Sequence, residues 1–80
     1  MYLHIGGEYT LPSRFIIGIF DLESVSSTQK DMIHFLSHME KEEKVEYISE
    51  EIPRSVVVTN EKIYFTPIST MTLLKRVKNE

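Results

Sequence analysis

The chain contains no cysteine. No disulfide can support the fold, no Cys/His metal framework can form, and no thiolate is present to act as a nucleophile. Long apolar runs are missing as well. The longest, Phe15-Ile16-Ile17-Gly18-Ile19-Phe20, falls far short of the ~20 residues of a membrane-spanning helix. The first residues carry neither a basic segment nor the hydrophobic core of a signal peptide. These absences lead to the expectation of a cytoplasmic protein without membrane association.

Catalytic signatures are also lacking. There is no GxSxG and no glycine-rich phosphate loop. His34 and His38 stand at i and i+4 and share a helix face, but position 35 is Phe, so the zinc-protease pattern HExxH is absent. No third ligand accompanies the pair, and a solvated helix face accounts for it. His4 falls in a strand and reads as structural. The adjacent Glu50 and Glu51 belong to a charged loop, where carboxylates are ordinarily solvated. The sequence therefore predicts a non-enzymatic protein with no cofactor, no metal site and no small-molecule substrate.

Basic surplus is the last thing missing. Twelve acidic residues outnumber nine basic ones, giving a net charge of -3, which is not the bulk signature of a nucleic-acid binder. Distribution matters more than the sum. Segment 40–51 holds Glu40, Glu42, Glu43, Glu46, Glu50 and Glu51 against Lys41 and Lys44. The end of the chain is basic, with Lys75, Arg76 and Lys78. Arg14 and Arg54 are isolated cations, each beside an apolar run.

What is present describes one small α+β domain spanning 1–80. A chain of 80 residues buries only about 60% of the surface its unfolded form exposes, so its core is marginal. Without disulfide or metal, such a domain gains burial by associating with copies of itself. Gly6-Gly7 between two short extended runs predicts a hairpin, since both turn positions can take positive φ. The run 15–20 predicts a central buried strand, with Gly18 marking a bulge or a close backbone approach. Ser26 and Gln29 form a capping box. A helix over about 28–43 follows, with Met32, Ile33, Phe35, Leu36 and Met39 as its apolar stripe. Residues 45–48 read as a short strand.

The stretch 54–67 is the clearest element. Ser55-Val56-Val57-Val58-Thr59 and Lys62-Ile63-Tyr64-Phe65-Thr66 are two strands separated by Asn60 and Glu61, an antiparallel hairpin whose Asn tolerates positive φ. Three consecutive valines predict a strand buried on both faces. Ser69 or Thr70 caps a last short helix, with Met71, Leu74 and Val77 on one face and Leu73 beside them, ending near Lys78. The expected architecture is a small antiparallel sheet of hairpins with one long helix and one short C-terminal helix.

Arg14 and Arg54 both open strands. If those strands are neighbours, the two guanidinium groups could share one edge and hold phosphates or a carboxylate. The alternative is that each pairs with a local acid such as Glu50 or Glu51. Lys75, Arg76 and Lys78 lie in a last helical turn, which the helix dipole favours without any ligand.

Arg54-Ser55-Val56-Val57-Val58-Thr59, then Ile63, Phe65-Thr66-Pro67, Thr72-Leu73 and Arg76, together with the opening MYLHIGGEYTLPSRFIIGIFDLES, resemble the bacterial extracellular-matrix regulatory family (RemA/RemB), the RemB branch in particular. The resemblance runs from Met1 to about Val77. It implies a LytTR-like fold and a homo-oligomeric ring that regulates transcription of biofilm-matrix genes by binding double-stranded DNA. Carried over by position, it places Arg14 and Arg54 at the DNA backbone; Lys75, Arg76 and Lys78 are expected to assist. One departure stands out. Where the RemA branch has a basic pair just ahead of the arginine matched by Arg54, this chain has Glu51-Ile52, which removes phosphate contacts and adds repulsion. A scaffold oligomer that has lost DNA binding is the rival expectation.

Overall fold

A computed structural model describes residues 1–23 and 30–78 of the chain. The described elements are strands β1 (Tyr2–Gly6), β2 (Tyr9–Pro12) and β3 (Ile16–Asp21), helix α1 (Lys30–Lys41), strands β4 (Val45–Tyr47), β5 (Ser55–Thr59) and β6 (Ile63–Thr66), and helix α2 (Thr70–Lys78). A short 3-10 turn, Ser13–Phe15, links β2 to β3. The capping pair Ser26 and Gln29 lies outside the described residues.

β1 and β2 form a two-stranded antiparallel sheet, and the other four strands form a second sheet in the order β3-β5-β6-β4. The predicted α+β class is what the chain adopts, but the larger sheet is mixed. β4 runs parallel to β6, with Val45 beside Ile63 and Tyr47 beside Phe65. A parallel neighbour cannot be reached by a hairpin. Here the 48–54 connection carries the chain from β4 across to β5, in the middle of the sheet.

β5 is the axis of the core. All five of its residues are buried, as three consecutive valines predict for a strand covered on both faces. Val57 packs with Leu3, Ile5 and Leu73, beneath the β1–β2 hairpin and α2. Val56 and Val58 face the other way, with Ile63, Phe65 and the half-buried Met39 of α1. Strand alternation thus serves two cores from one segment. The other members of the predicted α1 stripe, Met32, Ile33, Phe35 and Leu36, lie outside the described side chains.

Three sequence expectations are corrected here. The run 15–20 is not central. Among the described residues β3 is an edge strand, paired with β5, and Ile17 is 70% exposed. Its register slips between Ile16 and Gly18, so the bulge expected at Gly18 is present, and the Phe20 ring lies where a Gly18 Cβ would point. The 59–62 turn places no residue at positive φ, and β6 starts at Ile63 rather than Lys62. The Thr59 hydroxyl closes the turn instead, accepting from the Lys62 N–H at 2.9 Å and donating to the Lys62 carbonyl at 2.7 Å. On α2 it is Leu73 that is fully buried, while Met71, Leu74 and Val77 are exposed. Leu73 drops between β1 and β5, which turns the 71/74/77 face outward.

The ends are made as their residues dictate. Gly6 and Gly7 take φ of 126° and 53° in the first hairpin turn. Ser69 caps α2, its hydroxyl accepting from the Thr72 N–H at 3.2 Å. α1 ends with Glu43 at φ 58° and the Lys44 N–H reaching the Met39 carbonyl at 3.1 Å, a Schellman stop with a glutamate where glycine is favoured.

Candidate nucleic-acid interface

The two strand-opening arginines lie on neighbouring strands, as the sequence reading required, but not on one edge. β3 and β5 are antiparallel, so Ile16 sits beside Thr59 and Asp21 beside Ser55. The start of one strand adjoins the finish of the other. From Ser55 to Thr59 the strand advances about 13 Å, and each arginine lies beyond its own end. Arg14 and Arg54 therefore occupy opposite ends of the sheet.

At the first end, the 3-10 turn holds Arg14 outward. Its guanidinium lies 5.0 Å from the centre of the Phe15 ring, within cation–π range. Among the described residues no carboxylate pairs with it. Ser13 pins this turn to the N-terminus, its N–H and hydroxyl both donating to the Met1 carbonyl at 3.0 and 3.2 Å. α2 runs from the far end of β5, where the Ser55 and Thr70 hydroxyls are 2.7 Å apart, towards this turn. Its Leu74 and Val77 line an apolar groove with Ser13, Ile16, Gly18 and Ile19. Lys75 and Lys78 are exposed along the same helix.

Arg76 belongs to the same turn of helix but does other work. Its Nη1 donates to the His4 carbonyl at 2.9 Å and lies 3.3 Å from His4 Nδ1. His4 Nε2 is 2.8 Å from the Gly7 carbonyl and must donate there, so Nδ1 is the acceptor for Arg76. The group predicted to assist DNA contact is a strut between α2 and β1.

At the opposite end, Arg54 is fixed through its main chain. Its N–H donates to the Thr66 carbonyl at 2.8 Å and its carbonyl accepts from the Leu22 N–H at 3.0 Å. Its Nε donates to Glu23 Oε1 at 2.8 Å. The expected local partners were Glu50 and Glu51. The observed one is thirty-one residues away in sequence, delivered by the last rung of the β3–β5 ladder. Sequence reasoning missed Glu23; strand direction was the information needed to find it. Glu50, Glu51 and Ile52 are exposed on the loop leading into Arg54.

The two helix histidines do not meet a third ligand among the described residues; His38 Nε2 instead faces Glu42 Oε1 at 3.6 Å. Nor is any helix of the described residues long and apolar enough to cross a membrane.

Fold and surface together define a small mixed-sheet α+β domain with the exposed Arg14 at one end of the larger sheet and an arginine–glutamate pair at the other. No family model matches the chain. It is, however, 36% identical over 79 residues to Extracellular matrix regulatory protein B of Bacillus subtilis (strain 168), covering 98% of this chain and 91% of that protein. The chain belongs to the family of that regulatory protein.

Proposed function

We propose that this protein is a non-enzymatic, cytoplasmic regulator of extracellular-matrix genes that binds double-stranded DNA as a homo-oligomer. The observation carrying the reading is the end-to-end relationship to a regulatory protein, combined with the exposed cations Arg14, Lys75 and Lys78. Isolated backbone contacts of this kind are weak, and repetition around an assembly multiplies them. Arg54, at the other end, is held by Glu23 and adds little on its own, and Arg76 supports α2. The groove between β3 and α2, with Leu74 and Val77 half exposed at its rim, supports self-association, since a marginal core gains by covering such a face.

Native mass measurement with and without a DNA duplex tests both halves. The expected result is a single oligomeric species that gains the mass of DNA at low salt. Arg14→Glu/Lys75→Glu should keep the oligomer and lose the DNA. An oligomer of these charge-reversed subunits that bound equally well would sink the reading.

A second reading, a scaffold oligomer without DNA binding, is favoured by the Arg54–Glu23 pair and the acidic 40–51 segment. It predicts no shift of any duplex even at low salt, and capture of a basic protein partner.

A further inference from the structure

We propose that Glu23 is a built-in competitor for Arg54: it occupies the guanidinium that a DNA phosphate would take, so the charge at Glu23 decides whether this end of the domain contributes to binding. This rests on the DNA-binding reading above.

Both partners are placed by the backbone. Asp21 pairs with Ser55 as the last rung between β3 and β5. The Leu22 N–H then continues the ladder to the Arg54 carbonyl at 3.0 Å. Asp21 Oδ1 accepts from the Glu23 N–H at 3.0 Å, turning the chain so that the Glu23 carboxylate comes back over Arg54. On the other side Arg54 is tied to Thr66. The ladder holds the two backbones side by side, which keeps the Glu23 carboxylate within reach of the Arg54 guanidinium.

The contact is open. The side chains of Arg54 and Glu23 are 50% and 52% exposed, so water and ions reach both. An exposed pair of this kind is worth little to stability and is readily exchanged. It is also incomplete. A guanidinium offers five N–H donors, and among the described residues only Nε is engaged. A phosphate could approach the Nη donors, but there it would sit beside the Glu23 carboxylate, like charge against like. Glu50 and Glu51 on the adjoining loop add to the same repulsion. Arg54 is geometrically presented and electrostatically answered.

Glu23→Gln separates the two roles. The amide oxygen can still accept from Nε, so the geometry survives while the charge goes. Binding of a short mixed-sequence DNA duplex, followed by fluorescence anisotropy at about 50 and about 200 mM salt, should tighten roughly fivefold in Glu23→Gln at the lower salt, the size expected for one exposed charge pair. The dependence on log salt should steepen by about 1. Arg54→Ala in the wild type should change affinity by less than about twofold, because that arginine is already neutralised. In the Glu23→Gln background, Arg54→Ala should remove the whole gain. Thermal unfolding confirms that each variant is folded, and Glu23→Ala provides a second neutral side chain. A Glu23→Gln protein that binds no better than wild type, or one whose gain survives Arg54→Ala, overturns the proposal while leaving DNA binding intact. A wild type that ignores DNA beside a Glu23→Gln variant that binds through Arg54 supports it. If neither protein shifts the duplex at low salt, the DNA-binding reading falls and this inference with it.

Discussion

Arg14 and Arg54 stand at opposite ends of two adjacent strands, because β3 and β5 run antiparallel, with Ile16 beside Thr59 and Asp21 beside Ser55. They cannot form one phosphate clamp within a single subunit. The two arginines should therefore behave differently on mutation. Arg14→Ala should weaken duplex binding about three- to tenfold at low salt and lower the salt slope by about 1, as expected when one backbone contact is lost. Arg54→Ala should leave both nearly unchanged. Anisotropy titrations of the two variants at several salt concentrations distinguish them.

Arg76 should report on stability rather than on binding. Its hydrogen bond to the His4 carbonyl is charge-assisted and joins α2 to β1. Arg76→Ala should cost about 1–2 kcal/mol, lowering Tm by several degrees in a domain of this size. Lys75→Ala and Lys78→Ala, on exposed side chains, should stay within about 0.5 kcal/mol. Thermal melts of the three variants measure this directly.

Thr66 is the buried polar hinge of the fold. Its hydroxyl donates to the Ile5 carbonyl at 2.6 Å and accepts from the Ile68 N–H at 3.1 Å. One side chain thus joins β1 to β6 and shapes the turn into α2. Thr66→Val keeps the volume but leaves a carbonyl and an N–H without that partner, which should cost about 1–3 kcal/mol. Denaturant unfolding should show a lower midpoint with an unchanged slope.

Glu43 is a place where the chain can be improved. A non-glycine residue at φ 58° carries a penalty of about 1 kcal/mol that glycine avoids. Glu43→Gly should raise stability by roughly 0.5–1 kcal/mol, despite the greater freedom glycine brings to the unfolded chain. The gain should appear as a higher Tm. Loss of stability would mean that the Glu43 side chain contributes more than its backbone strain takes away.

Local features were legible in the sequence because their causes are local. The Gly6-Gly7 turn, the Ser69 cap, the bulge at Gly18 and the double-sided burial of Val56, Val57 and Val58 each follow from residues within one element. What sequence could not supply was relative placement. FIIGIF is as apolar as a central strand, yet nothing in it says whether one neighbour or two will flank it. Residues 45–48 carry no mark of strand direction, and β4 proved parallel. On α2, Leu73 and Leu74 are equally apolar, and only the position of Leu3, Ile5 and Val57 selects the first. The same holds for the candidate site. The basic residues were found, but the pairing of Arg54 with Glu23 depends on a strand order that no spacing encodes.

The slipped register of β3 carries a further consequence. An edge strand offers a row of unpaired backbone groups on which a foreign strand can add. In β3 the ladder is interrupted between Ile16 and Gly18, and the Phe20 ring covers the glycine. A bulged edge is twisted away from flat pairing. Continuation of the sheet into a second molecule, and growth into cross-β fibres, is disfavoured at this edge, so that any association here would run through side chains that mutation can tune.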